Sequence, residues 1–367
     1  MTVPDLAVDA LDYPFDPVHV ATAPAHPRDA ARLMVVDRAS GEVSHASVRD
    51  IGRWLGPGDA LVVNRTAVLR ARLIADDTEG LLLEPMPDGS WRMLLRKAKR
   101  FRPGERLCLR RPGGAPGTGA DDDRGVPGTD AVELIERSGE AWRVRLLAGD
   151  EGGGPDAVLE RSGWTPLPPY ILRSRVDRGE HVGDAVDREE YETVYADAAQ
   201  RASVAAPTAG LHFTPELLED LGRRGVNRAE LVLHVGAGTF KPVDAPTLSA
   251  HPMHRERFHV PAATAALLRS SPRPRLVAVG TTTVRALESL PDPVPAEGHS
   301  ADTGILISPG HRFRHVDAMI TNFHLPRSTL LALVGAFVGL DRLKELYALA
   351  QREGYRFYSY GDAMFIR

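Results

Sequence analysis

The chain has 367 residues, 43% of them hydrophobic and 26% charged, which is the composition of a globular protein large enough for two domains. Its formal net charge of −4 argues against general binding of polyanions by the whole chain. With one cysteine, Cys108, it excludes an internal disulfide and any zinc or iron–sulfur site built from cysteines.

The first residues show no basic segment followed by an apolar run, so we expect no signal peptide. The longest apolar stretch, residues 330–340, is too short to cross a bilayer and predicts a buried helix. We therefore expect a cytoplasmic protein without membrane association.

Short apolar runs separated by turn signals fill residues 71–164, after two predicted buried strands at 33–36 and 60–63. The predicted strands of this region lie at 81–83, 91–95, 106–109 and 142–146. Strands this short and closely spaced favour a small antiparallel β-barrel. The Gly- and Pro-rich residues 112–130 and the Gly-rich residues 150–156 are predicted to be exposed loops, the first at a hairpin tip.

Strands and helices alternate after residue 164, which is typical of an α/β layer structure. The strands are predicted at 203–206, 229–235, 276–279 and 318–321, and the helices from Pro215, through residue 290 and over 329–339. The predicted fold class is therefore α/β, with a discontinuous main domain formed by residues 1–70 and 165–367. The β-barrel domain, residues 71–164, is inserted into it.

Basic residues are concentrated in the predicted barrel. Nine of them lie between residues 91 and 111 against a single acid, Glu105, which gives a local charge of +8. A local cluster of cations is what phosphate binding requires, although a solvated barrel face is an equally good interpretation. The cluster consists of Arg92, Arg96, Lys97, Lys99, Arg100, Arg102, Arg106, Arg110 and Arg111.

The first polar junction between a strand and a helix lies at residues 205–215. Thr214 can cap a helix that begins at Pro215, where proline fits best. The preceding loop, with Thr208 and Gly210, would then lie near a helix N-terminus, which favours a bound anion. A tight turn before a capped helix is the simpler interpretation.

The second junction, at residues 233–242, resembles half of a dinucleotide-binding fingerprint. A third glycine is missing and Pro242 disfavours a helix directly after it, so we reject that reading. Gly236 and Gly238 would instead allow the backbone to approach a ligand closely, with Thr239 as a hydroxyl donor. A β-bulge is the alternative.

The third junction, at residues 279–288, places Arg285 in the first turn of a predicted helix, where a positive charge opposes the helix dipole. An arginine in such a position is a candidate for binding a carboxylate or phosphate, unless it pairs with a nearby acid. A fourth junction, at residues 321–328, again joins a strand end to a capped helix.

His251 and His254 have an H-x-x-H spacing, with His259 nearby. Pro252 lies between the first two and a clear third ligand is missing, so we expect no metal site. His254 beside Glu256 could instead carry out acid–base catalysis. The aromatic residues 355–362 could stack on a base, or form a final strand against the core.

Seven segments of the chain resemble the S-adenosylmethionine:tRNA ribosyltransferase-isomerase family of queuosine biosynthesis. They occur in the order of the family and cover nearly the whole chain: 166–171, 191–196, 204–213, 233–240, 279–289, 321–326 and 358–364. The resemblance implies transfer and isomerisation of the ribosyl group of S-adenosylmethionine onto 7-aminomethyl-7-deazaguanine at the wobble position of tRNA. Epoxyqueuosine forms, and adenine and methionine are released, without a metal or a cofactor. The implied fold is an α/β domain with an inserted β-barrel.

This chemistry needs a base near the carbon that the sulfonium acidifies, a proton for the departing adenine and a deprotonated aminomethyl group. Our hypothesis assigns proton transfer to His254, Glu256 and His212. Arg285 and Thr281 would hold the methionine carboxylate, and Gly236, Gly238 and Thr239 would contact the nucleoside. The other expected substrate-binding residues are Thr208, Gly210, Phe213, Thr282, Asn322 and His324. The basic residues Arg92, Arg96, Lys97, Lys99, Arg100 and Arg102 would bind the anticodon arm of tRNA, with the enzyme acting as a monomer.

The chain departs from the family at five positions. Arg65 replaces an aspartate, Ala67 an arginine and Arg70 a proline. Arg255 replaces a serine and Gly304 an aspartate. If these positions touch substrate, the acceptor could differ. One alternative is therefore a paralogue that transfers ribosyl to a free 7-deazapurine or another small nucleophile. A second alternative is a non-catalytic RNA-binding protein.

Overall fold

The computed structural model describes residues 5–113, 125–236, 238 and 243–367. The strands in chain order are β1 (Arg32–Val36), β2 (Val43–Ser47), β3 (Asp59–Asn64), β4 (Ala67–Val68), β5 (Arg72–Ala75), β6 (Glu79–Pro85), β7 (Trp91–Leu95), β8 (Arg106–Arg111), β9 (Val126–Ser138), β10 (Ala141–Leu147), β11 (Gly163–Trp164), β12 (Arg201–Ser203), β13 (Asn227–Leu233), β14 (Glu256–Pro261), β15 (Arg275–Val279), β16 (Gly298–Thr303), β17 (Ala318–Asn322) and β18 (Ala363–Ile366). The α-helices are α1 (Pro155–Ser162), α2 (Pro169–Arg178), α3 (Asp184–Glu190), α4 (Pro215–Arg223), α5 (Ala262–Arg269), α6 (Thr281–Glu288), α7 (Thr329–Val338) and α8 (Leu340–Arg352).

The chain divides into two compact units. The first contains Met1–Ala67 and Glu192–Arg367, and the second contains Val68–Tyr191. Residues 165–191, which the sequence-based division places in the α/β domain, belong to the second unit. They are held there by local polar contacts, since Asp184 accepts a bond from the Thr165 amide at 2.7 Å and Arg188 donates to the Gly163 carbonyl at 2.7 Å.

A nine-stranded mixed sheet forms the centre of the first unit, in the order β16-β14-β13-β3-β15-β17-β18-β1-β2. Its four middle strands, β13, β3, β15 and β17, run parallel to one another. The strands β14 and β18 beside them are antiparallel to that set. Consequently the carboxyl ends of four strands and the first residues of β14 and β18 lie along one edge of the sheet.

Apolar side chains cover a face of this sheet because the parallel strands read as near-continuous hydrophobic runs. β3 is buried along its whole length, and so is β17. Leu217 and Leu221 of α4 pack into the same cluster as Leu61, Val277 and Ile320 of the strands. Thr214 caps α4 by accepting a bond from the Leu217 amide at 3.1 Å, and Pro215 is its first residue, as predicted.

A closed six-stranded antiparallel barrel forms the second unit. Its strands follow the order β5-β6-β7-β10-β9-β8, and pairing of β5 with β8 closes the ring. Trp142, Val144 and Leu146 point inward while Arg143 and Arg145 alternate with them on the wet face, as the sequence pattern predicts. The predicted fold class, α/β with a small antiparallel β-barrel, is confirmed.

Asp130 links the end of the barrel to helix α1. Its side chain is fully buried and accepts bonds from both Arg161 Nε at 3.2 Å and Arg161 Nη2 at 2.8 Å. It also accepts bonds from the Ser162 hydroxyl at 2.7 Å and the Gly149 amide at 3.0 Å, and Arg111 Nη2 lies 3.8 Å from Oδ2. One buried carboxylate therefore joins β9, the loop after β10 and α1.

Three predicted elements differ from the structure. The strand predicted at 203–206 lies earlier in the chain, as β12, and ends at Ser203. Residues 126–130, predicted as part of a loop, are the first residues of the long strand β9. The possible final strand at 355–362 is wrong, because the chain turns there through Tyr358, whose φ is +71°, and the strand begins at Ala363. The predicted helix at 330–340 is confirmed as α7, and the described residues include no helix long and apolar enough to cross a membrane.

Candidate active site

Polar residues collect where the parallel strands of the first unit end. Asn64 ends β3, His234 follows β13, Gly280 and Thr281 follow β15, and Asn322 ends β17. Loops at the carboxyl ends of parallel strands are where open α/β sheets bind ligands. Three of the four junctions singled out in the sequence, the second, third and fourth, therefore begin at one edge, which we take as the candidate active site.

Asn64 joins the ends of β3 and β13 through hydrogen bonds. Its amide Nδ2 donates to the Leu233 carbonyl at 2.9 Å and its Oδ1 accepts from the Leu233 amide at 2.9 Å. Nδ2 also lies 3.5 Å from the hydroxyl of Thr282, on the first turn of α6. Because Asn64 is fully buried, these bonds fix the position of α6 against β3 and β13.

Arg285 and Glu256 form a buried ion pair beneath this edge. They are 5% and 6% exposed, and the Arg285 Nη1 donates to Glu256 Oε2. The other carboxylate oxygen, Oε1, accepts from the Gly236 amide at 2.8 Å. Within the described part of the chain, Arg285 Nη2 is buried without a hydrogen-bond partner. The guanidinium thus keeps a donor free for an anionic or carbonyl group of a ligand.

Gly238, in the second junction, lies against His254, the histidine predicted for acid–base catalysis. A Cβ on Gly238 would lie 2.3 Å from the imidazole ring of His254, so a side chain there would displace that ring. His254 itself is exposed, two residues before Glu256. Thr239, predicted to contact the nucleoside, lies outside the described residues.

A second polar network joins the 3₁₀ turn Thr208–His212 to β17. The Thr208 hydroxyl donates to Asn322 Oδ1 at 3.0 Å, and Asn322 Nδ2 lies 3.2 Å from His212 Nε2. His212 is 4% exposed, and burial lowers its pKa to about 4. At neutral pH this imidazole is therefore uncharged.

The remaining predicted residues are mostly packed against neighbouring side chains. Phe213 is fully buried in the core cluster under the sheet. Gly210 lies so close to the Tyr195 hydroxyl and Thr193 that a side chain would not fit. His324 bonds the Thr321 hydroxyl through Nε2 at 2.8 Å, and burial lowers its pKa to about 4. Thr281 and Thr282 are both buried on the first turn of α6.

Sequence reasoning missed Asn64, Thr66 and His234. The Thr66 hydroxyl lies 3.0 Å from His234 Nδ1, at the ends of adjacent parallel strands. Burial is the main cause that lowers the pKa of His234, followed by the charge of Arg257. The available signal was their position near strand ends, since Asn64 and Thr66 come within three residues of the predicted strand 60–63 and His234 lies near the end of the predicted strand 229–235. Among the described residues, three or more histidine, cysteine or acidic side chains are nowhere grouped to hold a metal.

The basic cluster of the barrel carries less net charge than the sequence count suggests. Strand β6 and the turn before it supply acids to several of its arginines: Arg92 pairs with Glu84 at 2.6 Å, Arg110 with Asp76 at 3.0 Å, and Arg100 with Asp77. Arg96 lies 3.5 Å from Glu79. Three exposed cations, Lys97, Lys99 and Arg102, have no carboxylate partner in the described part of the chain. The turn between β7 and β8 is therefore the part of the cluster best able to bind phosphate.

The departures from the family have local partners. Arg65 pairs with Asp197 at 2.9 Å, and Arg70 pairs with Glu160. Ala67 is buried. Arg255 is exposed and donates to the Asp302 carbonyl at 3.4 Å, while Gly304 lies beside the stem of Arg255.

Comparison with known proteins gives one consistent result. A family model described as queuosine biosynthesis protein matches residues 8–366. The S-adenosylmethionine:tRNA ribosyltransferase-isomerase of Geobacter metallireducens is 45% identical over 372 residues, covering 98% of this chain and 100% of that protein. The enzyme of the same name from Gluconacetobacter diazotrophicus is 47% identical, covering 98% and 96%. The crystal structure of S-adenosylmethionine tRNA ribosyltransferase from Thermotoga maritima superposes with a TM-score of 0.53 at 33% identity, covering 98% and 100%.

Proposed function

Since the chain belongs to the queuosine biosynthesis family of S-adenosylmethionine:tRNA ribosyltransferase-isomerases, we propose that it acts on 7-aminomethyl-7-deazaguanine at the wobble position of tRNA. It transfers and isomerises the ribosyl group of S-adenosylmethionine, forms epoxyqueuosine, and releases adenine and methionine. A monomeric state and a cytoplasmic location stay predictions from the sequence.

The buried Arg285–Glu256 pair is the observation that carries this proposal. S-adenosylmethionine has a carboxylate at its amino-acid end, and a guanidinium with a free donor is the side chain best suited to hold one. Both oxygens of the Glu256 carboxylate accept hydrogen bonds, one from the Gly236 amide and one from Arg285 Nη1. Glu256 therefore orients the guanidinium. We therefore assign Glu256 to orientation and His254 to proton transfer.

The altered segment at residues 64–70 favoured a paralogue with a small acceptor, and its contacts weaken that alternative. The charge of Arg65 is compensated by Asp197, with Glu230 at 3.9 Å. The charge of Arg70 is likewise compensated by Glu160. Because adjacent acids neutralise Arg65 and Arg70, the strand-end residues Asn64 and Thr66 keep their own hydrogen bonds.

Binding of tRNA is assigned to the turn between β7 and β8. We expect the combined change of Lys97, Lys99 and Arg102 to glutamine to lower the magnitude of the slope of log affinity against log salt by about 2 to 3. The reason is that fewer counterions are released on tRNA binding when phosphate contacts are lost. Mobility shifts at several salt concentrations measure this slope. The matched control changes Arg92 and Arg145, whose charges are already paired with Glu84 and Glu133. Equal slopes in the two variants would exclude this turn as the RNA contact.

Adenine release tests the proposed reaction directly. We expect adenine from S-adenosylmethionine when the tRNA carries 7-aminomethyl-7-deazaguanine, and none with unmodified tRNA. Adenine formed with free 7-deazapurine alone would identify the small-acceptor paralogue. tRNA binding without adenine from either acceptor would identify a non-catalytic RNA-binding protein.

A further inference from the structure

The amide of Asn322 can adopt one orientation in its buried site. Its Nδ2 faces two backbone carbonyls, Tyr358 O at 3.1 Å and Ser359 O at 3.4 Å. A carbonyl oxygen accepts but never donates, so Nδ2 must be the atom on that side. The opposite atom, Oδ1, receives the hydroxyl proton of Thr208. A flipped amide would place oxygen against two oxygens and lose these bonds.

This orientation determines which nitrogen of His212 carries the proton. The Asn322 amide has two N–H groups, and the shortest contacts of Nδ2 are the Tyr358 carbonyl at 3.1 Å and His212 Nε2 at 3.2 Å, so one hydrogen is directed at each. The contact with His212 therefore requires an unprotonated Nε2. We propose that Asn322 is a positioning residue that holds His212 neutral with its proton on Nδ1, so that His212 serves the reaction as a hydrogen-bond donor and not as a base. This replaces the proton-transfer role that the sequence suggested for His212.

The surroundings of His212 support the neutral form. The imidazole is 4% exposed, and burial is the main cause that lowers its pKa. Three charged groups act on it: Asp362 raises its pKa, while Arg356 and Arg28 lower it. The Asp362 carboxylate is itself occupied, since Arg356 Nη2 lies 3.2 Å away and the Arg356 amide 2.8 Å away.

Nδ1 is the ring nitrogen of His212 that remains available to a ligand. In the part of the chain that the structure describes, Asn322 is its hydrogen-bond partner at Nε2, and Nδ1 has none. With its proton on Nδ1, the ring can donate to water in the free protein and to a bound molecule in a complex. On the premise of the proposed function, the acceptor is an uncharged ring nitrogen or oxygen of the bound nucleoside.

Nitrogen-15 NMR of the free protein, labelled at histidine, tests the tautomer without any substrate. We expect the His212 signals to show a protonated Nδ1 and an unprotonated Nε2, unchanged between pH 5.5 and 8. The variant Asn322→Asp turns an acceptor toward Nε2, so the proton should move to Nε2 or the ring should become charged in the same pH range. An Nε2-protonated or titrating His212 in the wild type would overturn the proposal, whether or not the variant folds.

Activity then separates donation from proton transfer. His212→Asn keeps an N–H near the Nδ1 position, and we expect it to retain at least about tenfold more adenine release than His212→Ala. Equal rates in the two variants, or a wild-type rate that follows titration of His212, would contradict the donor role. A wild type that releases no adenine yet shows the Nδ1-protonated ring would reject the proposed function and leave the tautomer intact.

Discussion

Replacing Arg285 with alanine should reduce adenine release at least 100-fold, or about 3 kcal/mol of transition-state stabilisation. The change removes the free Nη2 donor and the partner of Glu256 together. It also leaves the buried carboxylate with the Gly236 amide as its remaining partner, and breaking a buried pair in this way costs about 3–5 kcal/mol of folding stability. Rates under single-turnover conditions and urea unfolding would measure the two effects separately.

Two variants make this result specific. Arg285→Lys keeps the charge beside Glu256 but loses the second donor of the guanidinium, so stability should recover more than the KM for S-adenosylmethionine does. Arg269→Ala removes an exposed arginine from the last turn of α5 and should leave both rate and stability unchanged. If Arg285→Ala retained near-normal rates in folded protein, the assigned role in carboxylate binding would be wrong.

Replacing Asp130 with asparagine should destabilise the barrel unit by about 2 kcal/mol at pH 7. Burial alone would raise the pKa of Asp130, but hydrogen bonds from Arg161, Gly149 and Ser162 and the charge of Arg161 lower it to about 2. A carboxyl whose pKa is lower in the folded state contributes stability above its unfolded pKa near 3.8. That contribution disappears as the pH falls through the folded value of about 2.

Urea unfolding followed by tryptophan fluorescence would measure this effect. Trp91, Trp142 and Trp164, three of the four tryptophans, lie in the barrel unit. The difference between wild type and Asp130→Asn should be full at pH 7 and shrink between pH 4 and 2. Asp156→Asn, which changes an exposed acid on α1, is the control. A difference that stays constant from pH 7 to 2 would mean that the Asp130 charge does not stabilise the fold.

The fold was readable from the sequence wherever hydrophobic periodicity was strong. β7 has the predicted bounds, and the strands before α6 and α7 lie where apolar runs predict them. Prediction failed where composition and tertiary structure disagree. Residues 126–130 look like a turn, yet pairing with β8 and the buried Asp130 hold them in a strand.

The site was readable one junction at a time, because capping residues and glycines are local signals. The predicted position of Arg285 in the first turn was wrong, since α6 begins at Thr281 and Arg285 lies in its last turn. The bonds that connect the junctions are not local. Asn64 and Leu233 are 169 positions apart, and Asn322 and His212 are 110 apart. The charge of the barrel was overestimated for the same reason, since the acids that pair with Arg92 and Arg110 come from β6 and from the turn before it.

The position of β18 has a consequence for how the protein is made. This four-residue strand fills the place between β17 and β1, and the ion pair of Arg367 with Asp37 spans 330 positions of the chain. During translation Leu33 of β1 is synthesised 330 residues before Ala363, its partner in β18, so this part of the sheet cannot form until the intervening residues have been made. A chain interrupted before residue 363 would have a gap inside its sheet and exposed strand edges on both sides of that gap. Such copies would therefore be recognisable to proteases and chaperones, and synthesis of β18 becomes a condition for assembling the candidate active site.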